Sequence, residues 1–192
     1  MKNKLLIVIL IFVMLTLAAC SLPGVAALTK SRPQKGATAV GCSEVMAGME
    51  LLRNEEHGYC LLYPSGYSVE RPNPDETVLV VGSLLNVSEP RVYIKVSEAA
   101  GRTAAQAADD RVADFPGFEI KRSNATIAGQ EAVVLDGVPG QDINRQIMIV
   151  RNGRLYQLTF VPASEDAGEV YVRMEQLYQK VVDSLNFCDK ER

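Results

Sequence analysis

Apolar and polar positions are patterned in three ways along this chain. From Leu5 to Ala19 there is almost no alternation, since Thr16 is the only polar residue in the run. Short β-branched and aromatic runs follow, bounded by Gly, Pro and polar residues. Tyr59–Tyr63, Tyr67–Glu70, Thr77–Val81 and Val92–Val96 have the composition and length of strands. The period changes between Thr103 and Phe115. Ala104, Ala108, Val112 and Phe115 recur at helical spacing, while Asp109, Asp110 and Asp114 fall off that stripe. Thr103 and Gln106 have the spacing of a capping box, and Pro116-Gly117 ends the helix. The extended pattern returns at Glu119–Arg122, Thr126–Ile127 and Glu131–Asp136, with a turn at Ala128-Gly129 and a loop over Gly137–Gly140.

The firmest local prediction is a hairpin. Asn152-Gly153 lies between Arg145–Arg151 and Arg154–Val161, and both turn positions of a tight hairpin need positive φ. Counting outward pairs Ile149 with Tyr156 and Ile147 with Leu158, on a core face that Phe160 joins. The other face mixes Met148, Val150 and Leu155 with Gln146, Gln157 and Thr159, and so predicts partial cover. A last helix runs from about Gly168 to Leu185, with Val170, Met174, Leu177, Val181 and Leu185 as its apolar stripe and Asp166 capping its start. The succession of strands, helix, strands and helix predicts an α+β fold, an antiparallel central sheet flanked by helices.

Residues 42–192 are one domain's length, and a unit of ~150 residues buries about 70 % of its unfolded surface. Residues 20–41 contain Pro23, Gly24, Pro33 and Gly36 without a period and read as a flexible tether, with Lys30, Arg32 and Lys35 as solvated charges. The formal charge is −3, which excludes a basic nucleic-acid binder.

The basic Met1-Lys2-Asn3-Lys4, the apolar run and the closing Leu17-Ala18-Ala19-Cys20 resemble the signal peptide and lipobox of bacterial lipoproteins. The resemblance implies a signal peptide over 1–19, cleavage between Ala19 and Cys20, and lipidation of Cys20. Acyl chains such as palmitate would then hold the chain to the extracytoplasmic face of a membrane. Cleavage would remove two lysines and no acid, taking the charge from −3 to −5. Ser21 stands where an Asp would signal inner-membrane retention.

Further along, Gly58-Tyr59-Cys60-Leu61-Leu62-Tyr63-Pro64-Ser65-Gly66-Tyr67 resembles the opening motif of PsbP-like proteins. Ile127-Ala128-Gly129-Gln130-Glu131-Ala132, the segment Asn152–Phe160 and the close Asp183-Ser184-Leu185-Asn186-Phe187 resemble their later motifs in the same order. The resemblance spans about residues 50–188. It implies an α/β/α sandwich with a central antiparallel sheet, in a group that includes photosystem accessory proteins and bacterial lipoproteins. It implies no transferable activity, and no set matching the His-and-acid metal sites of the photosynthetic branch stands in this chain.

Candidate chemistry is sparse. With Cys20 lipidated, Cys42, Cys60 and Cys188 remain, and an exported domain favours one disulfide among them. Three pairings are open. The closeness of domain ends favours Cys42–Cys188, which leaves Cys60 as the free, buried thiol. His57, the only histidine, lies in the polar turn Asn54–Gly58 and reads as a surface residue rather than a base for Cys60. One histidine and no C-x-x-C exclude the usual zinc sets, and no metal or cofactor is expected. Asp109, Asp110 and Asp114 read as a solvated helix face rather than a calcium site. No nucleotide-binding or serine-hydrolase motif occurs. The expected function is a non-catalytic binding or assembly module acting on an envelope protein partner. The alternative is a small-ligand or metal-binding lipoprotein with a pocket between sheet and helix.

Overall fold

The structure is a computed structural model that describes residues 41–86 and 88–188. The signal-like run 1–19, the Ala19/Cys20 junction and the tether up to residue 40 lie outside the described residues. The order of elements is β1 (Met49–Asn54), β2 (Tyr59–Pro64), β3 (Ser68–Asn73), β4 (Glu76–Val80), β5 (Arg91–Glu98), α1 (Ala104–Ala113), β6 (Lys121–Ile127), β7 (Gln130–Val138), β8 (Asn144–Arg151), β9 (Arg154–Val161), α2 (Glu169–Ser184) and β10 (Asn186–Phe187). The fold is α+β, as the pattern predicts. A seven-stranded sheet runs in the order β3-β4-β5-β9-β8-β7-β6, and a three-stranded sheet in the order β1-β2-β10. Every pairing in both is antiparallel.

The β8–β9 hairpin organises the large sheet. Asn152 and Gly153 take φ of 50° and 74°, and the register pairs Ile149 with Tyr156 and Ile147 with Leu158. Those residues and Phe160 enter one core. There they meet Leu52, Tyr59, Leu61 and Tyr63 of the small sheet and Met174, Leu177 and Val181 of α2. The opposite face is covered by α1, whose Ala104, Ala107 and Ala108 pack against Val133, Leu135, Met148 and Leu155. Alanines on that stripe let helix and sheet approach closely. The mixed face is therefore partly covered, with Val150, Gln157 and Thr159 half-buried, and its fully buried polar member is satisfied. Buried Gln146 accepts from Arg111 Nε at 3.0 Å and from Gln157 Nε2 at 3.1 Å, and donates to Asn144 Oδ1 at 2.8 Å.

The helix boundaries test the capping arguments. At α1 the capping box is complete: Gln106 N–H donates to Thr103 Oγ1 at 3.2 Å, and Thr103 N–H to Gln106 Oε1 at 2.9 Å. At α2 the expected cap is displaced. Ser164 caps a 3-10 turn over Glu165–Ala167 by accepting from Asp166 N–H, and Gly168 (φ 58°, ψ −123°) swings the chain into the helix without a side-chain cap. Asp166 is thus part of the turn. The loop expected at Gly137 is also shorter than predicted, because β7 continues through Val138 after a register shift. Gly137 sits at φ +83°, where an added Cβ would lie 3.1 Å from Glu119 O.

Polar side chains tie α2 to both sheets. Ser184 Oγ accepts from Leu62 N–H at 2.8 Å, joining the helix to β2. Arg145 donates to Asp136 and, at 3.0 Å, to Glu175 Oε2, so one guanidinium links β7, β8 and α2 while lying 4.5 Å over the Tyr178 ring. Burial opposes that charge, but the hydrogen bonds it donates to Glu175 and Asp136, with their negative charges, outweigh it and raise the Arg145 pKa. Among the described residues, no helix is long and apolar enough to cross a membrane.

Two expectations follow from this packing. Leu177→Ala in the buried stripe costs about 2–5 kcal/mol in chemical denaturation. Val172→Ala on the same helix, where the residue is 54 % exposed, stays within about 0.5 kcal/mol. The tyrosines predict alkaline sensitivity. Burial, then the charge of Glu89, pushes Tyr67 up to about 12, and burial raises Tyr59, Tyr63, Tyr156, Tyr171 and Tyr178. Their folded pKa values stand above the unfolded value of about 10, so above that pH the unfolded chain binds fewer protons. Stability is whole below about pH 10 and falls as pH rises toward about 12. Denaturation midpoints followed together with phenolate absorbance check this; midpoints that stay constant across that interval contradict it.

Candidate functional site

The first and last described segments meet at the start of β2. Gly58 ends the β1–β2 turn at φ +69°, and a Cβ there would lie 2.9 Å from Cys188 O, so only glycine admits the C-terminal strand this closely. β10 then pairs with β2, Asn186 opposite Cys60 and Phe187 opposite Tyr59, and Cys188 N–H donates to Gly58 O at 2.9 Å. Tyr59, Leu61 and Tyr63 turn into the core, and strand alternation sends Cys60 to the other face. Phe187 is fixed edge-on against Tyr156 with centroids 4.9 Å apart, and Arg151 lies 4.9 Å over its ring. The backbone before Cys42 passes the same strand, with an added Gly41 Cβ 3.6 Å from Phe187 O.

Three sulfurs converge as a result. Cys42 and Cys60 form a disulfide with Cα atoms 5.9 Å apart, a usual spacing for the bond. The free thiol is Cys188, whose Sγ lies 3.2 Å from Cys42 Sγ and 3.3 Å from Cys60 Sγ. This corrects the expected Cys42–Cys188 pairing and the assignment of Cys60 as the free thiol. The ends of the domain do lie together, as that argument required. It missed that Cys60, on β2, faces the same point, because the strand that brings Cys188 beside it, β10, is only two residues long and carries no pattern of its own. Cys42 and Cys60 are buried, and Cys188 is partly exposed.

The same geometry bears on metal binding. The three sulfurs all lie within 4.8 Å of one another, a thiolate set of the kind that takes soft cations when fully reduced. With Cys42 and Cys60 bonded, only Cys188 offers a thiolate.

His57 is also corrected. It is buried, at 7 % exposure, and not a surface turn residue. Its Nε2 lies 3.0 Å from Pro74 O, which accepts only, so Nε2 carries the proton. Nδ1 is buried without a partner. The turn is held from the large sheet, since Tyr156 OH donates to His57 O at 2.8 Å and Arg154 Nη1 to Glu56 O at 3.1 Å. His57, Arg151, Arg154, Tyr156 and Cys188 line one open cavity of about 220 Å³. Its one legible signal in the sequence is Gly58, next to His57 and two residues before Cys60.

Elsewhere the acidic helix face divides among arginines. Asp109 pairs with Arg122, Asp110 with Arg102 and Asp114 with Arg111. These carboxylates are spread apart and solvated rather than gathered around a cation. A larger open groove of about 900 Å³ lies between the start of α1 and strands β6 and β7, rimmed by Arg102, Thr103, Arg122, Asn124, Thr126 and Glu131.

No family model and no curated protein matches the chain. Solved structures do. It is similar to the cyanobacterial PsbP (CyanoP) of Synechocystis sp. PCC 6803, with a TM-score of 0.49 and 16 % identity over 76 % of this chain and 96 % of that one. It is similar to LpqN of Mycobacterium tuberculosis, involved in cell envelope biogenesis, with a TM-score of 0.49 and 13 % identity over 73 % of this chain and 91 % of that one. A protein of unknown function from Pseudomonas aeruginosa, PA94, gives 0.41 and 23 % identity over 70 % and 96 %. These likenesses concern architecture and bring no activity, ligand or partner to this chain.

Proposed function

We propose that this chain is a lipid-anchored, extracytoplasmic, non-catalytic binding or assembly module acting on an envelope protein partner. The observation that carries the reading is the Cys42–Cys60 disulfide, which joins the segment before β1 to β2. Such a bond persists in an oxidising space outside the cytoplasm. The lipobox-like Leu17–Cys20 supplies the anchor, and Cys20 is its attachment point. The only histidine, His57, is buried, and among the described residues no group stands within hydrogen-bond reach of its Nδ1, the nitrogen that would act as a base.

The test begins with the anchor. Wild-type chain incorporates labelled palmitate and partitions with membranes; Cys20→Ser takes up no label and keeps residues 1–19. Unlabelled wild-type protein in the cytosolic fraction with all cysteines reduced overturns the reading. Crosslinking of the membrane-bound form then recovers one reproducible envelope protein, and repeated failure to recover one counts against the partner.

A second reading, small-ligand binding, is favoured by the open groove beside α1 with its mixed polar rim. It predicts that one compound in a panel of divalent metals and envelope metabolites raises the unfolding midpoint. At 100 times its Kd a ligand adds about 2.7 kcal/mol. A panel without any shift removes this reading.

A further inference from the structure

We infer that Cys42, Cys60 and Cys188 form one thiol–disulfide exchange centre, in which the bond migrates among the three pairs and the free thiol changes place. The inference does not depend on the lipid anchor. It rests on the triangle of sulfurs: Cys188 Sγ is nearly equidistant from both bonded sulfurs, at 3.2 and 3.3 Å. A thiol held against a disulfide in one domain is the arrangement from which exchange proceeds, through attack of a thiolate on a disulfide sulfur. Near-equality of the two distances leaves neither sulfur sterically privileged as the target. It also places Cys188 beside the bond rather than along its axis, so attack requires its side chain to swing toward one end. Cys188 is half-buried and follows β10, outside its ladder. The cavity of about 220 Å³ beside it gives a small thiol reagent access.

The step balances without an external oxidant. The Cys188 thiolate attacks Cys60 Sγ, a Cys60–Cys188 bond forms and the Cys42–Cys60 bond breaks. The electron pair of the broken bond stays on Cys42 Sγ, which takes up the proton that Cys188 released. Attack on Cys42 Sγ instead forms Cys42–Cys188 and frees Cys60. One disulfide and one thiol exist before and after, so nothing is oxidised or reduced overall. What changes is the segment that is stapled. Cys42–Cys60 ties Cys42 to β2 and leaves Cys188 held through the pairing of β10 and the packing of Phe187. Cys60–Cys188 ties Cys188 to β2 and releases Cys42.

The test uses the full-length wild-type chain. It is alkylated in its native state at mildly alkaline pH, quenched in acid, digested with pepsin without reduction, and mapped. Expected is label divided between Cys188 and at least one of Cys42 and Cys60, with the complementary cross-linked peptides. Acid after alkylation stops any further migration during digestion and mapping, because the thiolate is the attacking species. In Cys188→Ser the bond is fixed as Cys42–Cys60, and in Cys42→Ser a Cys60–Cys188 bond forms. Label confined to Cys188 in the wild type, with Cys42–Cys60 as the sole bond at every pH and time, overturns the inference. That readout needs no variant and holds even if a substituted chain fails to fold.

Discussion

The register set at Asn152-Gly153 is the constraint on which both cores rest. Because side chains alternate along a strand, a slip of one residue would exchange the two faces of the β8–β9 hairpin. Ile147, Ile149, Tyr156 and Leu158 would turn toward α1, and Gln146 and Gln157 would enter the large apolar core without their amide partners. Amides buried there without partners cost about 1–3 kcal/mol each. The two-residue turn with positive φ at both positions removes that freedom locally. The neighbouring strands then inherit the register: β5 aligns on β9 over eight residue pairs, from Arg91–Val161 to Glu98–Arg154.

The site is a remote consequence of the same register. Tyr156 leaves β9 on the core face, where its ring meets Tyr59 and Phe187 and its hydroxyl reaches the backbone of His57. Through Tyr156, with Arg154 beside it, the large sheet thus positions the β1–β2 turn and the strand that Cys188 follows. The sulfur cluster is held by a core contact as much as by its covalent bond.

What was legible in the sequence was what is decided locally. The capping box at Thr103 and Gln106, the hairpin turn and the α2 stripe depend on residues within a few positions of each other. What was hidden depends on distant partners. β1 has an ordinary composition and becomes a strand because β2 offers it an edge, and β10 is two residues long. His57 sits in a run of polar residues that predicts exposure, yet Tyr156 and Pro74 enclose the turn from other parts of the chain. The disulfide assignment failed for a related reason. Proximity of the chain ends was correctly inferred, but the direction of Cys60 depends on which face of β2 the core claims.

Loop-closure entropy does not explain which cysteines are bonded. The Cys42–Cys60 pair spans 18 residues, whereas Cys188 lies 128 residues from Cys60 and 146 from Cys42. In the chain-entropy model a loop of the first size stabilises the fold by roughly 3 kcal/mol and loops of the other sizes by roughly 5. That advantage belongs to comparisons with the unfolded chain. Once the domain is folded, three sulfurs already lie in contact, and the unfolded ensemble no longer weighs on the choice. The bond is then selected by side-chain rotamers and by what holds each segment without it. β10 keeps its place through strand pairing and the Phe187–Tyr156 contact even when Cys188 is free. Cys42 precedes the first strand and has no ladder of its own, so the segment entering the domain gains most from being tied.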